Sequence, residues 1–169
     1  FDDELPNFKC YGCSASNSFG LQLKFYEEPN EKDADSAEYT TVTTGVRAAD
    51  MANYQSFPNV LHGGIQATIA DDLAYWTVYR NFRAFGLTSS MSIQYLRPIF
   101  TTKDIVARGS VKERGGKDGR NVSIVVEISQ GGKVCSKCET NFRLTSAKSM
   151  QKILGQKLPK KLLKHFSNL

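Results

Sequence analysis

Apolar residues recur at helical spacing in one segment of this chain and alternate with polar residues in several others. Between residues 63 and 79, four large apolar residues fall on one stripe and predict an amphipathic helix, namely Ile65, Ile69, Leu73 and Trp76. Alternating segments that predict strands lie at 21–27, 37–46, 88–96, 104–114, 120–130 and 133–144. The pattern therefore predicts one helix and about six strands.

The predicted connections are polar and mostly short. Residues 27–36 predict a hairpin connection, 47–61 predict a loop that leads into the helix, and glycine-rich turns are predicted at 114–120 and 130–133. Short turns between successive strands favour an antiparallel sheet. We therefore expect an α+β domain over 1–146, with one long central helix wrapped by an antiparallel sheet of about six strands. A basic tail over 147–169 is predicted to form a short helix.

The other side of the predicted helix carries small residues around a carboxylate. Ala67, Ala74 and Val78 flank Asp71 there. We expect the backbone of another element, or a substrate, to approach the helix closely on this side.

Charge is concentrated at the carboxyl end. The net charge is +5, but six lysines lie in 147–169 with no Asp, Glu or Arg, which leaves 16 basic and 17 acidic residues in the rest. A nucleic-acid-binding domain normally carries its basic patch on its folded face, so we expect no nucleic-acid partner. The tail is expected to pack its leucines on its own domain, the alternative being contact with an anionic membrane or an acyl-carrier surface. The chain shows no apolar run of about 20 residues and no signal-like stretch, so a cytoplasmic protein is expected.

Four cysteines form two C-x-x-C pairs, Cys10/Cys13 and Cys135/Cys138, a spacing that zinc sites use. The second pair lies in a predicted strand, where residues three apart point to opposite faces unless a bulge intervenes. We therefore predict no metal, and free thiols in a reducing compartment.

The sequence HGGIQATIAD carries the main candidate chemistry. His62, Gly63 and Gly64 stand where the helix is predicted to begin, and Asp71 lies two turns further on. Backbone N–H groups at a helix start are unpaired and suit an oxyanion on a thioester, while a carboxylate can act as general base or nucleophile. His62 is predicted to orient the glycine turn. Asp72 is the alternative carboxylate, otherwise a structural acid.

Helix geometry separates these groups. Gly63 and Asp71 are eight residues apart, which is about 12 Å of axial rise. Both cannot touch one carbonyl carbon within a single chain. Two antiparallel helices related by a two-fold axis would bring the glycines of one chain opposite the aspartate of the other, so a homodimer with shared sites is expected.

Three motifs in order resemble the PaaI-like hotdog-fold acyl-CoA thioesterases: CYGCSASNSFGLQLKF, YQSFPNVLHGG and TSSMSIQYLRPI. The resemblance implies the hotdog fold and hydrolysis of an acyl- or aryl-CoA without metal or cofactor, the CoA being part of the substrate. It implies Asp71 as the catalytic carboxylate, oxyanion donors at Gly63 and Gly64, and Thr88 assisting the attacking water. Dimers paired into a homotetramer are also implied.

The chain departs from the family pattern in the loop before the helix. Ser14 replaces a glycine, Tyr54 and Ser56 replace the usual His and Gly, and Asn59 replaces the Gly after proline. Ser56 also stands where some relatives have an Asn or Gln that holds the thioester. Gln55 and Asn59 are the neighbouring amides that we expect to compensate, so substrate binding is predicted at Gln55, Ser56 and Asn59.

Coenzyme A carries phosphates, so cations are expected at the mouth of the site, and we predict Arg97, Arg114, Lys117 and Arg120. Two alternatives remain open. A hotdog hydratase or dehydratase would show a D-x-N-x-x-H-type pattern, whereas the histidines here are His62 and His165. A non-catalytic acyl-CoA-binding or sensor protein would bind CoA esters without turnover.

Overall fold

The computed structural model describes residues 4, 5, 7–28 and 39–166. Its strands are β1 (Tyr26–Glu27), β2 (Val42–Val46), β3 (Gln55–Phe57), β4 (Val60–Leu61), β5 (Phe85–Tyr95), β6 (Ile105–Gly115), β7 (Asn121–Gln130) and β8 (Lys133–Thr145). Its helices are α1 (Ala48–Met51), α2 (Gly63–Phe82), α3 (Ala147–Leu154) and α4 (Lys160–Leu163). None of these helices combines the length and apolarity needed to cross a membrane.

Six strands form one antiparallel sheet in the order β1-β2-β6-β7-β8-β5, and α2 packs across its inner face. The predicted alternation in β7 is confirmed, because Val122, Ile124, Val126 and Ile128 are all buried beneath the helix. Every second residue of a strand points to the same face, which is why this run forms the floor of the core. The predicted α+β hotdog arrangement is confirmed.

The four long strands β5 to β8 match the sequence prediction closely, and the two amino-terminal strands are shorter than predicted. The predicted strand 21–27 is reduced to β1, and the predicted strand 37–46 to β2. Most of the predicted hairpin connection over 27–36 lies outside the described residues.

The prediction of a plain loop over 47–61 is wrong. This stretch contains α1 and the two-stranded β3-β4 hairpin. Met51 and Leu61 are both 1% exposed, so two apolar anchors fix the segment against the core. The elements are too short for periodicity to reveal them.

The buried face of α2 is rotated from the predicted stripe. Ile69 and Leu73 are buried as predicted, but Ala74 and Val78, expected on the side of Asp71, are also fully buried. Ile65 and Trp76 are only partly buried and pack at the edge of the core. The helix therefore turns small residues toward the sheet, where β6 approaches so closely that a Cβ at Gly109 would overlap Thr77.

The carboxyl-terminal tail packs on its own domain. Met150, Leu158 and Leu162 are buried in a cluster with Phe85, and the Phe85 and Phe166 rings stack with centroids 3.7 Å apart. The leucine-packing prediction is thus confirmed for these residues. The division of the chain at 146/147 stays a prediction.

Candidate active site

His62 fixes the start of α2. It is the N-cap, with extended backbone, and its Nδ1 accepts the N–H of Gly64 at 2.9 Å. The Gly64 N–H is therefore engaged by the cap, and of the two predicted oxyanion donors it is the one that already has an acceptor. Gly63 is the first helical residue, so its N–H has no acceptor one turn earlier in the helix. The helix dipole adds positive potential at this point.

A cleft of about 410 Å³ opens at the amino end of α2. Gly63, Gly64, Gln66, Tyr95 and Arg97 all line it. The Tyr95 hydroxyl donates to the Gly63 carbonyl at 3.1 Å, and a Cβ at Gly63 would lie 3.2 Å from the Tyr95 ring. Glycine therefore allows strand β5 to approach the helix start, and the cleft brings backbone donors and a cation together.

Asp71 lies two turns along the helix, beside β5. The Thr88 hydroxyl donates to Asp71 Oδ1 at 3.1 Å, so the structure brings these two candidate residues into direct contact. A register shift between Thr88 and Ser90 marks a β-bulge in β5. Thr88 pairs with the buried Phe142 and so points toward the helix. Bulges commonly re-aim side chains near sites, and this one places a hydroxyl against the carboxylate.

The glycine cleft and the Asp71–Thr88 pair are separate in one chain. Asp71 does not line the cleft, and eight helical residues span about 12 Å. Strand β5 lies at the edge of the sheet over its whole length. It exposes Leu87, Met91 and Tyr95, which are 37%, 39% and 53% accessible. A long unpaired edge with exposed apolar side chains is the type of surface on which another strand docks.

Of the predicted cations, the structure places Arg97 at the cleft. Its guanidinium donates to the Val134 carbonyl at 2.6 Å and is otherwise exposed. The turn that carries Arg114, Lys117 and Arg120 lies near the other end of α2, since Arg114 sits 5.3 Å over the Phe82 ring. Within one chain the structure therefore separates this turn from the cleft by most of the length of the helix.

The loop amides predicted to bind substrate are joined to each other in the β3-β4 hairpin. Gln55 Oε1 accepts the Asn59 N–H at 2.7 Å, and the Ser56 hydroxyl donates to the Val60 carbonyl at 3.4 Å. Asn59 has a left-handed backbone, with φ of 63°. The hairpin borders the cleft through Val60, and the side chains of Gln55 and Ser56 stabilise its turn.

Asp72 faces a different environment from Asp71. Cys10 Sγ lies 3.6 Å from Asp72 Oδ1, and the Cys13 thiol donates to Cys10 Sγ at 3.0 Å. A Cβ at Gly12 would overlap the carboxylate, so the loop backbone lies directly on it. Burial, followed by the nearby Cys10 charge, raises the pKa of Asp72 to about 7. Asp72 therefore belongs to a cysteine cluster rather than to the glycine cleft.

The second cysteine pair is built differently. β8 is bulged at Cys135, since its register against β7 shifts between Ile128 and Ser129, and Cys135 and Cys138 are both buried. Cys135 Sγ contacts the Lys133 carbonyl, whereas Cys138 Sγ contacts Thr140. In the described chain the four cysteines do not converge on one point, because the cluster of metal-type donors contains Cys10, Cys13 and Asp72. That set has one donor fewer than a structural zinc site.

Among the cleft residues that the sequence did not predict are two whose side chains make hydrogen bonds, Gln66 and Tyr95. Gln66 is buried, donates to the Leu61 carbonyl at 3.2 Å and accepts from the Ser136 hydroxyl. Tyr95 holds the Gly63 carbonyl. Gln66 lies one turn after the helix start, a spacing that does place it beside the glycines, whereas the Tyr95 contact joins residues far apart in sequence.

A family profile described as the thioesterase superfamily matches residues 58–135. This stretch contains the cleft, Asp71 and Thr88. Residues 58–135, which carry the candidate site, are therefore similar to the thioesterase superfamily. No curated protein matches it in sequence.

Solved structures share the fold. A thioesterase superfamily protein is 23% identical with a TM-score of 0.58, the match covering 75% of this chain and 58% of that one. A hypothetical thioesterase from Streptococcus pneumoniae TIGR4, solved with coenzyme A, is 20% identical with a TM-score of 0.55, covering 72% and 89%. The E. coli PaaI protein from the phenylacetic acid degradation operon is 20% identical with a TM-score of 0.53, covering 64% and 74%. The chain thus spans 58% of the length of the first of these proteins.

Proposed function

We propose that this protein is an acyl-CoA thioesterase that hydrolyses an acyl- or aryl-CoA to the free acid and CoA. The observation that carries the proposal is the presence of two half-sites along α2. One is a glycine cleft at the helix start with an unpaired N–H and Arg97 beside it. The other is a carboxylate held by a threonine hydroxyl.

In the proposed reaction the thioester carbonyl lies at the helix start, where the Gly63 N–H receives the developing oxyanion. Asp71 removes a proton from water, which attacks the carbonyl carbon. The carbon–sulfur bond then breaks, and the proton returns to the CoA thiolate. Direct attack by Asp71, through an acyl-enzyme anhydride that water hydrolyses, is the alternative route. Neither route needs a metal or a cofactor.

The two half-sites are proposed to meet across a two-fold axis. The 12 Å rise between them requires a second chain, and the exposed apolar edge of β5 supplies a surface for it. Asp71 and Thr88 lie at this edge, so pairing of two copies would bring the carboxylate of each chain toward the glycine cleft of the other. The smallest functional unit is therefore a homodimer, and pairs of dimers would form a tetramer.

Substrate contacts are proposed for the cleft and its border. Arg97 is assigned to the phosphates of CoA. Gln55, Ser56 and Asn59, in the β3-β4 hairpin, are assigned to the wall of the cleft beside the bound thioester. Arg114, Lys117 and Arg120 stay a prediction, because their turn lies at the other end of the helix of the same chain.

Release of free thiol from a panel of acyl-CoA esters, from short aliphatic to aryl to long chain, tests the proposal. We expect turnover of at least one class, loss of most of that turnover in Asp71→Asn, and retention in Asp72→Asn. Binding of CoA esters without turnover would identify a sensor instead. Loss of turnover only in Asp72→Asn would show that Asp72, and not Asp71, is the catalytic carboxylate. A single turnover in ¹⁸O-water tests the anhydride route, since label in the Asp71 carboxyl arises only when water attacks an acyl-Asp71 anhydride at its aspartyl carbon.

A further inference from the structure

Cys10 and Cys13 form a compact dithiol on the surface loop that precedes β1. A backbone turn closes between them, with the Ser14 N–H donating to the Cys10 carbonyl at 3.3 Å. The Cys13 N–H donates to Cys10 Sγ at 3.3 Å, and the two sulfurs are 3.0 Å apart. Both side chains are partly exposed. The two sulfurs are therefore close enough to bond after a movement of about 1 Å, given a disulfide length near 2.05 Å.

Asp72 is the third member of this cluster, with its carboxylate within 4.8 Å of both sulfurs. Its Oδ1 lies 3.6 Å from Cys10 Sγ, and no donor in the described chain reaches its Oδ2. The three groups end an apolar cavity of about 210 Å³, whose walls include Phe8, Trp76 and Phe85. A carboxylate beside such a cavity has little water to solvate it, so it holds a proton more readily than an ordinary aspartate.

The electrostatics of the two thiols differ. The hydrogen bond from Cys13, followed by two backbone N–H groups that oppose burial, lowers the pKa of Cys10 to about 5. The same hydrogen bond, together with burial, raises the pKa of Cys13 far above its ordinary value. A low-pKa thiol beside a protonated partner is the usual division between an attacking and a resolving cysteine.

We propose that Cys10 and Cys13 are a thiol–disulfide exchange site for low-molecular-weight disulfides, with Asp72 as the proton acceptor of the resolving thiol. The Cys10 thiolate attacks one sulfur of a disulfide RSSR, which forms a Cys10–SR mixed disulfide and releases RS⁻. Cys13 then gives its proton to Asp72, and its thiolate attacks Cys10 Sγ and displaces the second RS⁻. The first RS⁻ takes up from solvent the equivalent of the proton that Cys10 released on ionising, and the second takes the Cys13 proton from Asp72. The products are the Cys10–Cys13 disulfide and two RSH, so the oxidation of the protein equals the reduction of RSSR.

Zinc is the competing occupant of the same cluster. A tetrahedral zinc site needs four ligands, and the cluster supplies two sulfurs and one carboxylate. The sulfurs would also have to move apart from 3.0 Å to roughly 3.8 Å, the span of two Zn–S bonds at a tetrahedral angle. The donor set therefore favours thiol–disulfide exchange over zinc binding.

Trypsin mapping of the wild-type chain tests the proposal without any substitution. The folded, reduced protein is incubated with oxidised glutathione, and the remaining thiols are alkylated after acid quenching and unfolding. Cys10 and Cys13 lie in one peptide, 10–24, whereas cleavage after Lys137 separates Cys135 from Cys138. We expect peptide 10–24 to appear two hydrogens lighter and without alkyl groups. The second C-x-x-C pair, being buried, is the matched control and should react at least about tenfold more slowly.

Two variants assign the roles. Cys13→Ser should accumulate glutathione on Cys10, since nothing resolves the mixed disulfide. Asp72→Asn should slow the formation of the Cys10–Cys13 disulfide, and the increase in its rate near pH 7, where Asp72 ionises in the wild type, should disappear. The titratable groups that face this carboxyl are Cys10, Cys13, Asp71 and Tyr75. Equal reactivity of the two pairs, or about one zinc per chain that is released in Cys10→Ser, would overturn the proposal. Thioesterase activity is not part of any of these readouts.

Discussion

Replacement of Asp72 by asparagine is expected to stabilise the protein at and above neutral pH. Burial and the nearby Cys10 charge raise the pKa of Asp72 to about 7, against about 4 for an aspartate in an unfolded chain. Between these values the folded chain keeps a proton that the unfolded chain has released. The contribution of this group to the free energy of unfolding of the wild type therefore falls as the pH rises from about 4 to about 7.

The magnitude follows from the size of the shift. About three pKa units at about 1.4 kcal/mol each amount to roughly 4 kcal/mol once the carboxyl has ionised. For a domain of this size, that corresponds to a difference in Tm of about 10 °C. Asparagine has nearly the same shape and no charge, so it avoids this cost. At pH 4 both proteins carry a neutral side chain, which makes that pH an internal control.

The assay is thermal and urea unfolding of wild type and Asp72→Asn at pH 4, 6 and 8, with a reductant that keeps the thiols reduced. Cys10, whose pKa is lowered to about 5 chiefly by the Cys13 hydrogen bond, contributes with the opposite sign above pH 5 in the wild type. The difference between the two proteins is therefore the measured quantity. We expect it to be small at pH 4 and to grow to about 10 °C at pH 8. A constant difference, or a variant that is less stable at pH 8, would refute the reasoning.

Three further predictions concern the site and the tail. Thr88→Val should lower kcat for thioester hydrolysis about tenfold or more by removing the hydroxyl from the carboxylate, and Thr88→Ser should keep most of it. Arg97→Ala should raise KM for an acyl-CoA about tenfold but not for an acyl-pantetheine without phosphates, and Arg108→Ala should change neither. Leu162→Ala should lower the free energy of unfolding by about 2–5 kcal/mol in urea titration, whereas Ile153→Ala, at a position 59% exposed, should leave it unchanged.

Long periodic segments made most of the fold predictable. Strand β7 is an alternating apolar run, and glycine turns join it to β6 before it and to β8 after it, so the type and adjacency of these three strands could be predicted from the sequence. The helix was predicted for the same reason. Its buried face was not, because Trp76 stacks on Phe25, with centroids 5.3 Å apart, outside the sheet-facing side. An aromatic that packs at the edge of a core looks the same in sequence as one inside it.

The candidate site was predicted only where its parts are local. The cap formed by His62 and the spacing from Gly63 to Asp71 follow from helix geometry. The contact of Cys10 with Asp72 joins residues 62 positions apart, and neither spacing nor periodicity indicates it. Its one local signal is Gly12, a small residue between two cysteines, whose meaning appears only when the loop lies on the carboxylate.

The most direct test of the central claim is subunit mixing between Asp71→Asn chains and Gly63→Val chains. A valine at Gly63, which lines the cleft, presses on the Tyr95 ring. Each variant alone is expected to be nearly inactive. After verified exchange, about half of the dimers are mixed and each has one intact site, so thioesterase activity should recover to about a quarter of wild type. If the carboxylate and the glycine cleft of one chain formed the site together, every site would carry one lesion, and the absence of recovery would contradict the shared site.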